Sequence, residues 1–212
     1  MAKKDSFIAD VYLAKIPSGI GQGVLLPIER QNEVLACKNE RVKGQKYYAW
    51  KLLEHALRES FGYKIGDLEF CKGKNGKWTT PRCHFSISHS YNVVAVAVAS
   101  GPIGVDVEKI APEKAEFLQK TLTEQEREEF ALIIEACDRA QYLFESWTKK
   151  ESIFKKAGDG SFRPSKIAVD IGGLATKKRS IDGEEYVLSV AAENAIEARY
   201  FLDVDLSEKD VQ

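Results

Sequence analysis

The stretch Asn92–Ala99, reading NVVAVAVA, limits this chain more than any other segment. It is β-branched and apolar on both faces, the composition of a strand covered on both sides rather than one with a solvated face. A chain with such a strand must supply packing elements around it. Upstream, Phe7–Ala14 (FIADVYLA) reads as an opening strand. Pro17, Gly19, Gly21 and Gly23 then break the pattern, and Glu29–Cys37 resumes with helical character. Between Val42 and Phe61 the residues Tyr47, Trp50, Leu53, Leu57 and Phe61 recur at spacings of three and four. Gly62 stands at the expected stop, so the periodicity predicts a long helix.

The segment Lys72–Arg82 (KGKNGKWTTPR) is rich in Gly, Asn, Thr and Pro, which predicts an exposed loop with a tight turn at Asn75-Gly76. His84–Ser88 alternates as a strand, and Ile103–Val107 follows the Gly101-Pro102 turn as another. Thr123 with Glu126 is a capping-box signature, placing a helix start there that runs through Phe130 and Ile133. From about Arg139 to Ala157 the stripe Tyr142, Leu143, Trp147 and Phe154, closed by Gly158, describes an amphipathic helix of roughly 28 Å. Lys166–Asp170, Tyr186–Ala192 and Ala198–Val204 alternate like strands. Each half therefore offers a long helix and several strands, which permits a two-lobed α+β architecture, although no clear repeat links the halves.

Composition excludes several classes. The 212 residues are 44% hydrophobic, enough for a sizeable core. Thirty-one Lys and Arg nearly balance 32 Asp and Glu, a net charge of −1, so no general nucleic-acid binding is expected. Cys37, Cys71, Cys83 and Cys137 form no C-x-x-C pair and have no histidines at zinc spacing, so reduced thiols in a cytoplasmic protein are the expectation. Asp5 and Asp10 interrupt any apolar signal core, and the longest apolar run, Val93–Ala99, is far shorter than the ~20 residues of a membrane span.

The candidate chemistry lies in two places. In Ile103-Gly104-Val105-Asp106-Val107-Glu108, strand alternation puts Asp106 and Glu108 on one face, about 7 Å apart along the strand, where both can reach one hard cation. Gly104 beside them leaves room for a ligand to approach the backbone. Alone, such a pair is also what a strand end emerging into solvent carries. In Trp147-Thr148-Lys149-Lys150-Glu151-Ser152-Ile153-Phe154-Lys155, helical spacing stacks Trp147, Glu151 and Lys155 on one side, with Phe144 and Thr148 beside them. Alone, Glu151 and Lys155 would also be an ordinary surface pair.

Together, I-G-V-D-V-E-K followed by W-T-K-K-E-S-I-F-K-K resembles the two signature motifs of 4′-phosphopantetheinyl transferases, and specifically the larger single-chain type that activates peptide and polyketide synthases. The resemblance implies a pseudo-dimer of two similar lobes, each a long helix packed on a small, mostly antiparallel sheet, divided as 1–100 for coenzyme A contacts and 101–212 for the metal site. It implies Asp106, Glu108 and Glu151 as ligands of Mg2+ or Mn2+, with Glu151 and Lys155 catalytic. His84-Phe85-Ser86-Ile87-Ser88-His89-Ser90 is similar to the family segment whose Ser-His pair contacts coenzyme A, so Ser88 and His89 would meet its phosphates, His89 the 3′-phosphate. By the same resemblance Lys77, Lys43 and Lys46 would join Lys155 against the cofactor. The implied partner is an apo acyl or peptidyl carrier protein, served by a monomer without nucleic acid or membrane. Trp147 is assigned to packing, and Lys149 and Lys150 to a solvated face that could also meet the carrier. A coenzyme A-binding module without transfer and a metal-dependent phosphohydrolase would use many of the same residues.

Overall fold

The computed structural model describes residues 7–19, 26–73, 76–158 and 160–207. Asp5, Gly21, Gly23 and Asn75, the first residue of the expected tight turn, lie outside them. In chain order the elements are β1 (Phe7–Lys15), α1 (Ile28–Leu35), α2 (Glu40–Phe61), β2 (Cys71–Lys72), β3 (Trp78–Thr79), β4 (His84–Ser90), β5 (Val93–Ala99), β6 (Ile103–Lys109), α3 (Pro112–Leu118), α4 (Glu124–Ala131), α5 (Ala136–Ala157), β7 (Leu174–Ile181), β8 (Glu184–Ala192) and β9 (Ile196–Leu202). The fold is mixed α+β.

All seven residues of β5 are buried, and its two faces meet different neighbours. Val94, Val96 and Val98 pack with Tyr48, Trp50, Leu52 and Leu53 of α2. Val93, Ala95, Ala97 and Ala99 pack with Ile103, Val105 and Val107 of β6 and with Leu188 and Val190 of β8. One sheet, ordered β4-β5-β1-β9, thus lies between α2 and a second sheet, ordered β6-β8-β7. Helix α5 covers the outer face of that second sheet, against β6 and β8. The layers run helix, sheet, sheet, helix, and the apolar two-faced strand demanded by the sequence forms the middle of the stack.

The two outer helices are set by similar local signals. Helix α2 is capped by Asn39, whose side chain accepts from the Val42 N–H at 3.1 Å, and stops at Gly62 with φ 68°. Helix α5 stops at Gly158, φ 77°, and α4 carries the full capping box of Thr123 and Glu126.

Several expectations are corrected. Lys166–Asp170 is not a strand: a 3-10 turn at Pro164–Lys166 leads into irregular chain. The third strand of the second sheet is β7, whose Lys177-Lys178-Arg179 run concealed it; charge of this kind is what an exposed edge strand carries. Ala198–Val204 is a strand, β9 at Ile196–Leu202, but it crosses to the first sheet and runs parallel to β1, from Phe7↔Ile196 to Leu13↔Leu202. Lys150 has no solvated face. It is fully buried, and its ammonium donates to Glu126 Oε2 at 2.5 Å and to the Thr121 carbonyl at 2.7 Å. Helix α5 is covered by the second sheet on one side and by the α3–α4 segment on the other, so a lysine facing that segment is enclosed. Lys149 is half-buried.

The Lys150–Glu126 pair is closed on itself, since Glu126 also accepts from the Thr123 N–H at 2.6 Å and the Ser146 hydroxyl at 2.8 Å. Removing one member of such a pair leaves a charge buried alone. Lys150→Met should lower unfolding free energy in urea by about 3–5 kcal/mol, with Lys150→Met/Glu126→Gln recovering part of it. A loss below about 1 kcal/mol would mean that water reaches the pair.

Candidate active site

Strand β4 places Phe85 and Ile87 toward the first core and Ser86, Ser88 and Ser90 toward the edge of β6. The edges of the two sheets meet there through side chains. Ser86 Oγ accepts from the Val105 N–H at 3.0 Å, Ser88 Oγ from Val107 at 3.3 Å, and Ser90 Oγ from Lys109 at 3.1 Å. With lone pairs so occupied, the hydroxyl protons turn to carboxylates of β6. Ser88 donates to Asp106 Oδ1 at 2.8 Å, and Ser90 donates to Glu108 Oε2 at 2.6 Å. The S-x-S-x-S period was visible in the sequence, but Ser86 and Ser90 carried no functional assignment because their partners are 18 or 19 residues away. Ser88, expected against coenzyme A, is buried and has its hydroxyl engaged by Asp106, Val107 and Lys155.

Helix α5 brings Glu151 and Lys155 to the same place. Lys155 Nζ lies 2.7 Å from Asp106 Oδ1 and 3.0 Å from Ser88 Oγ. Gly104 permits this approach. A Cβ there would stand 1.9 Å from the Ser152 carbonyl oxygen and 2.5 Å from the Lys156 nitrogen. The space expected for a ligand at Gly104 is therefore taken by the backbone of α5. Trp147 packs edge-on against Phe162, ring centroids 5.4 Å apart, in keeping with a packing role.

Three acids share one electrostatic environment. Burial, then Asp106, pushes the Glu108 carboxyl up to about 7, with Ser90 and Lys155 opposing and Glu151 adding. Glu151 is also raised, by burial first and Asp106 second, against Lys155. Among the described residues no three Asp, Glu, His or Cys side chains stand close enough to hold an ion as they lie. Asp106 nevertheless fits a cation: its second oxygen, Oδ2, is buried without a hydrogen-bond partner. An orphaned buried carboxylate oxygen with two further acids near it is the donor set of a hard divalent ion.

A cavity of about 290 Å³ reaches Glu151 but neither Asp106 nor Glu108, and is lined also by Lys77, Phe85, Ser86, Lys155 and Gly158 among others. Lys77 donates to the Lys155 carbonyl at 2.5 Å, so its ammonium caps α5 while its stem lines this cavity; burial pulls its pKa down. His89 opens to solvent on one side, yet crowding by protein, then Lys155, holds its imidazole below the ordinary histidine value, with Arg30 adding. Arg30 was not singled out from the sequence. It donates to Glu33 and to the Lys46 carbonyl at 2.9 Å, while its Nε is buried without a partner. Lys46 is half-buried beside it; Lys43 pairs with Glu40 at 3.5 Å and lines a separate cleft of about 1190 Å³, to which none of the three acids contributes.

The fold and site define an α+β protein with an acidic seam between two sheets and Lys155 beside it. The sequence model described as the 4′-phosphopantetheinyl transferase superfamily matches residues 102–196, which hold Asp106, Glu108, Glu151 and Lys155. The transferase gsp of Aneurinibacillus migulanus is 32% identical over 164 residues, 73% of this chain and 68% of that protein. Sfp of Bacillus subtilis strain 168 is 29% identical over 116 residues, 53% of this chain and 51% of Sfp. For psf-1 of Bacillus pumilus the match is 29% over 113 residues, 51% and 48% of the two chains. The aligned region spans about half the length of these last two relatives. The chain belongs to the 4′-phosphopantetheinyl transferase superfamily.

Two outcomes follow from the geometry. Gly104→Ala meets backbone that cannot yield, so α5 should lift from β6 with a loss on the order of 3 kcal/mol in denaturant unfolding; an unchanged midpoint would contradict the close approach. In metal-free protein the Glu108 carboxyl, followed by 13C NMR, should titrate near 7. Its folded-state pKa exceeds the unfolded value, so its contribution to stability is present in acid and lost as pH rises through about 7. Ser90→Ala should move that midpoint higher, and a midpoint near an ordinary glutamate value would contradict the buried pose.

Proposed function

We propose that this chain transfers the 4′-phosphopantetheine arm of coenzyme A to a serine of an apo acyl or peptidyl carrier protein, releasing adenosine 3′,5′-bisphosphate. The observation that carries the reading is Asp106, with Oδ1 held by Ser88 and Lys155 and Oδ2 buried without a partner. Asp106, Glu108 and Glu151 would hold Mg2+, or Mn2+, which shares its preference for oxygen donors. Bound there, the ion would supply charge neutralisation at the pyrophosphate.

The remaining work falls to the protein. Lys155 can carry its ammonium from Asp106 to a phosphate oxygen, holding the transferred group in line with its attacker. The carrier serine oxygen bonds to the β-phosphorus, the bond to the bisphosphate breaks, and the serine proton goes to Glu151. Burial raises the proton affinity of Glu151, as suits a base. On this reading His89, with Arg30 acting on it, and Lys46 would meet the 3′-phosphate, and Lys77 lines the cavity beside Glu151. Lys43, in the separate cleft, would contribute only at the periphery of a bound cofactor.

The finer organisation belongs to the same proposal. Two 22-residue helices on two sheets support a pseudo-dimer divided near residue 100, with β9 returned to the first lobe. A cytoplasmic monomer is the working form. None of the described helices is long and apolar enough to cross a membrane.

Apo-carrier proteins incubated with this protein, coenzyme A and Mg2+ should gain one phosphopantetheine by intact mass spectrometry. The gain should vanish with chelator and fall at least a hundredfold in Glu151→Gln. Coenzyme A binding with no gain on any carrier would reduce the protein to a binding module.

A further inference from the structure

Lys77 starts beside the first core and ends on the helix that covers the second sheet. Its neighbour Trp78 is buried, with its ring edge-on to that of Trp50 in α2, centroids 5.4 Å apart, so Lys77 extends from a fixed point. From there its stem passes over Gly158, where a Cβ would stand 3.3 Å from the Lys77 Cδ. The ammonium then donates to the carbonyl of Lys155 at 2.5 Å and to that of Lys156 at 3.4 Å. The last carbonyls of a helix have no partner within it, and a cation there also meets the negative end of the helix dipole. Burial pulls the Lys77 pKa down and no carboxylate acts against it, so its charge is matched to the helix end.

The turn that Lys77 grips is the one that carries Lys155. On its other side this turn presses onto Gly104 of β6 and leaves no room for a Cβ. Lys155 is therefore held at both ends, its carbonyl by Lys77 and its ammonium by Asp106 at 2.7 Å and Ser88 at 3.0 Å. A lysine head sits on a flexible four-carbon stem, so its position is defined only when the backbone beneath it is fixed.

Resting on the transfer reading above, we infer that Lys77 is a positioning residue: by holding the last turn of α5 it sets where the Lys155 ammonium stands, and so governs the rate of transfer rather than the affinity for coenzyme A. An ammonium turned to the helix end is not presented to a phosphate, and only the Lys77 stem lines the cavity that it shares with Glu151 and Lys155. Loss of the grip leaves α5 in place, because the Lys150–Glu126 pair and the packing on Gly104 still hold it, but frees its terminal turn. A misplacement of about 1 Å can cost a reaction on the order of a hundredfold in rate.

The first test needs neither cofactor nor carrier. Lysine ammonium groups are followed by 15N NMR in metal-free protein at low temperature, with the Lys155 signal assigned through Lys155→Arg. Lys77→Met, which keeps an aliphatic stem, should shift or broaden the Lys155 signal and leave that of Lys150, buried on the same helix, unchanged. An unchanged Lys155 signal would overturn the proposal, and so would loss of the Lys150 signal as well, which would mean a general loosening of α5. With coenzyme A and a carrier, Lys77→Met should lose at least tenfold in kcat while the coenzyme A dissociation constant, by calorimetry, stays within threefold. A tenfold weaker affinity with kcat retained would make Lys77 a cofactor ligand and also overturn it. Should Lys77→Met not fold, coenzyme A titrated into the unsubstituted chain decides: the Lys155 signal should move and that of Lys77 stay, and movement of the Lys77 signal would overturn the proposal. The expected NMR result with no mass gain on any carrier from the unsubstituted chain would instead overturn the transferase reading, with the grip of Lys77 on Lys155 established.

Discussion

Everything at the candidate site depends on the way β4 and β6 are joined. Two sheet edges that face each other with unpaired N–H groups can pair their backbones and merge, or they need another acceptor. Here the acceptors are Ser86, Ser88 and Ser90, repeated every second residue. A hydroxyl inserted between two strands keeps the sheets separate while satisfying the edge. It also has a proton left to give, and at Ser88 and Ser90 that proton goes to Asp106 and Glu108. The seam that joins the two halves therefore also orients the acids.

This junction needs the layers on either side to be in place. Strand β5 carries Val94, Val96 and Val98 toward α2 and Ala95, Ala97 and Ala99 toward the second sheet. Larger side chains on the inner face would hold the second sheet farther away, beyond reach of the serine hydroxyls. On the opposite side Gly104 lets α5 press onto β6, which puts Lys155 within 2.7 Å of Asp106. Small residues at two interfaces thus set the two distances on which the site rests.

The parts that were legible in sequence are those with local causes. The two-faced apolar run of β5, the periodicity of α2, the capping box at Thr123 and the alternation that puts Asp106 and Glu108 together all depend on neighbours within a few residues, and all appear in the fold. What stayed hidden depends on distant partners. Strand β7 looks like a charged loop until its place at a sheet edge is known. Lys150 looks like a surface lysine until α3 and α4 close over it, and Gly104 reads as space for a ligand until a helix fills it. Ser90 and Arg30 carried no signal of their own, because each acts through a side chain or carbonyl far along the chain.

Helix α5 holds two kinds of charge, and the contrast explains how one helix can be both anchor and instrument. On the side facing α4, Lys150 and the Thr123 N–H share one oxygen of Glu126 and Ser146 takes the other, so the charges are paired and the helix is locked in position. On the side facing β6, Lys155 reaches only one oxygen of Asp106, and Glu108 and Glu151 are left in each other's field. Burying charge without full pairing is unfavourable, and a fold tolerates it only where the surrounding structure is over-determined. The closed pair at Lys150 and the serine seam at β6 provide that surplus. Asp106 can then keep one oxygen buried without a partner, with Glu108 and Glu151 held near it by the rest of the protein.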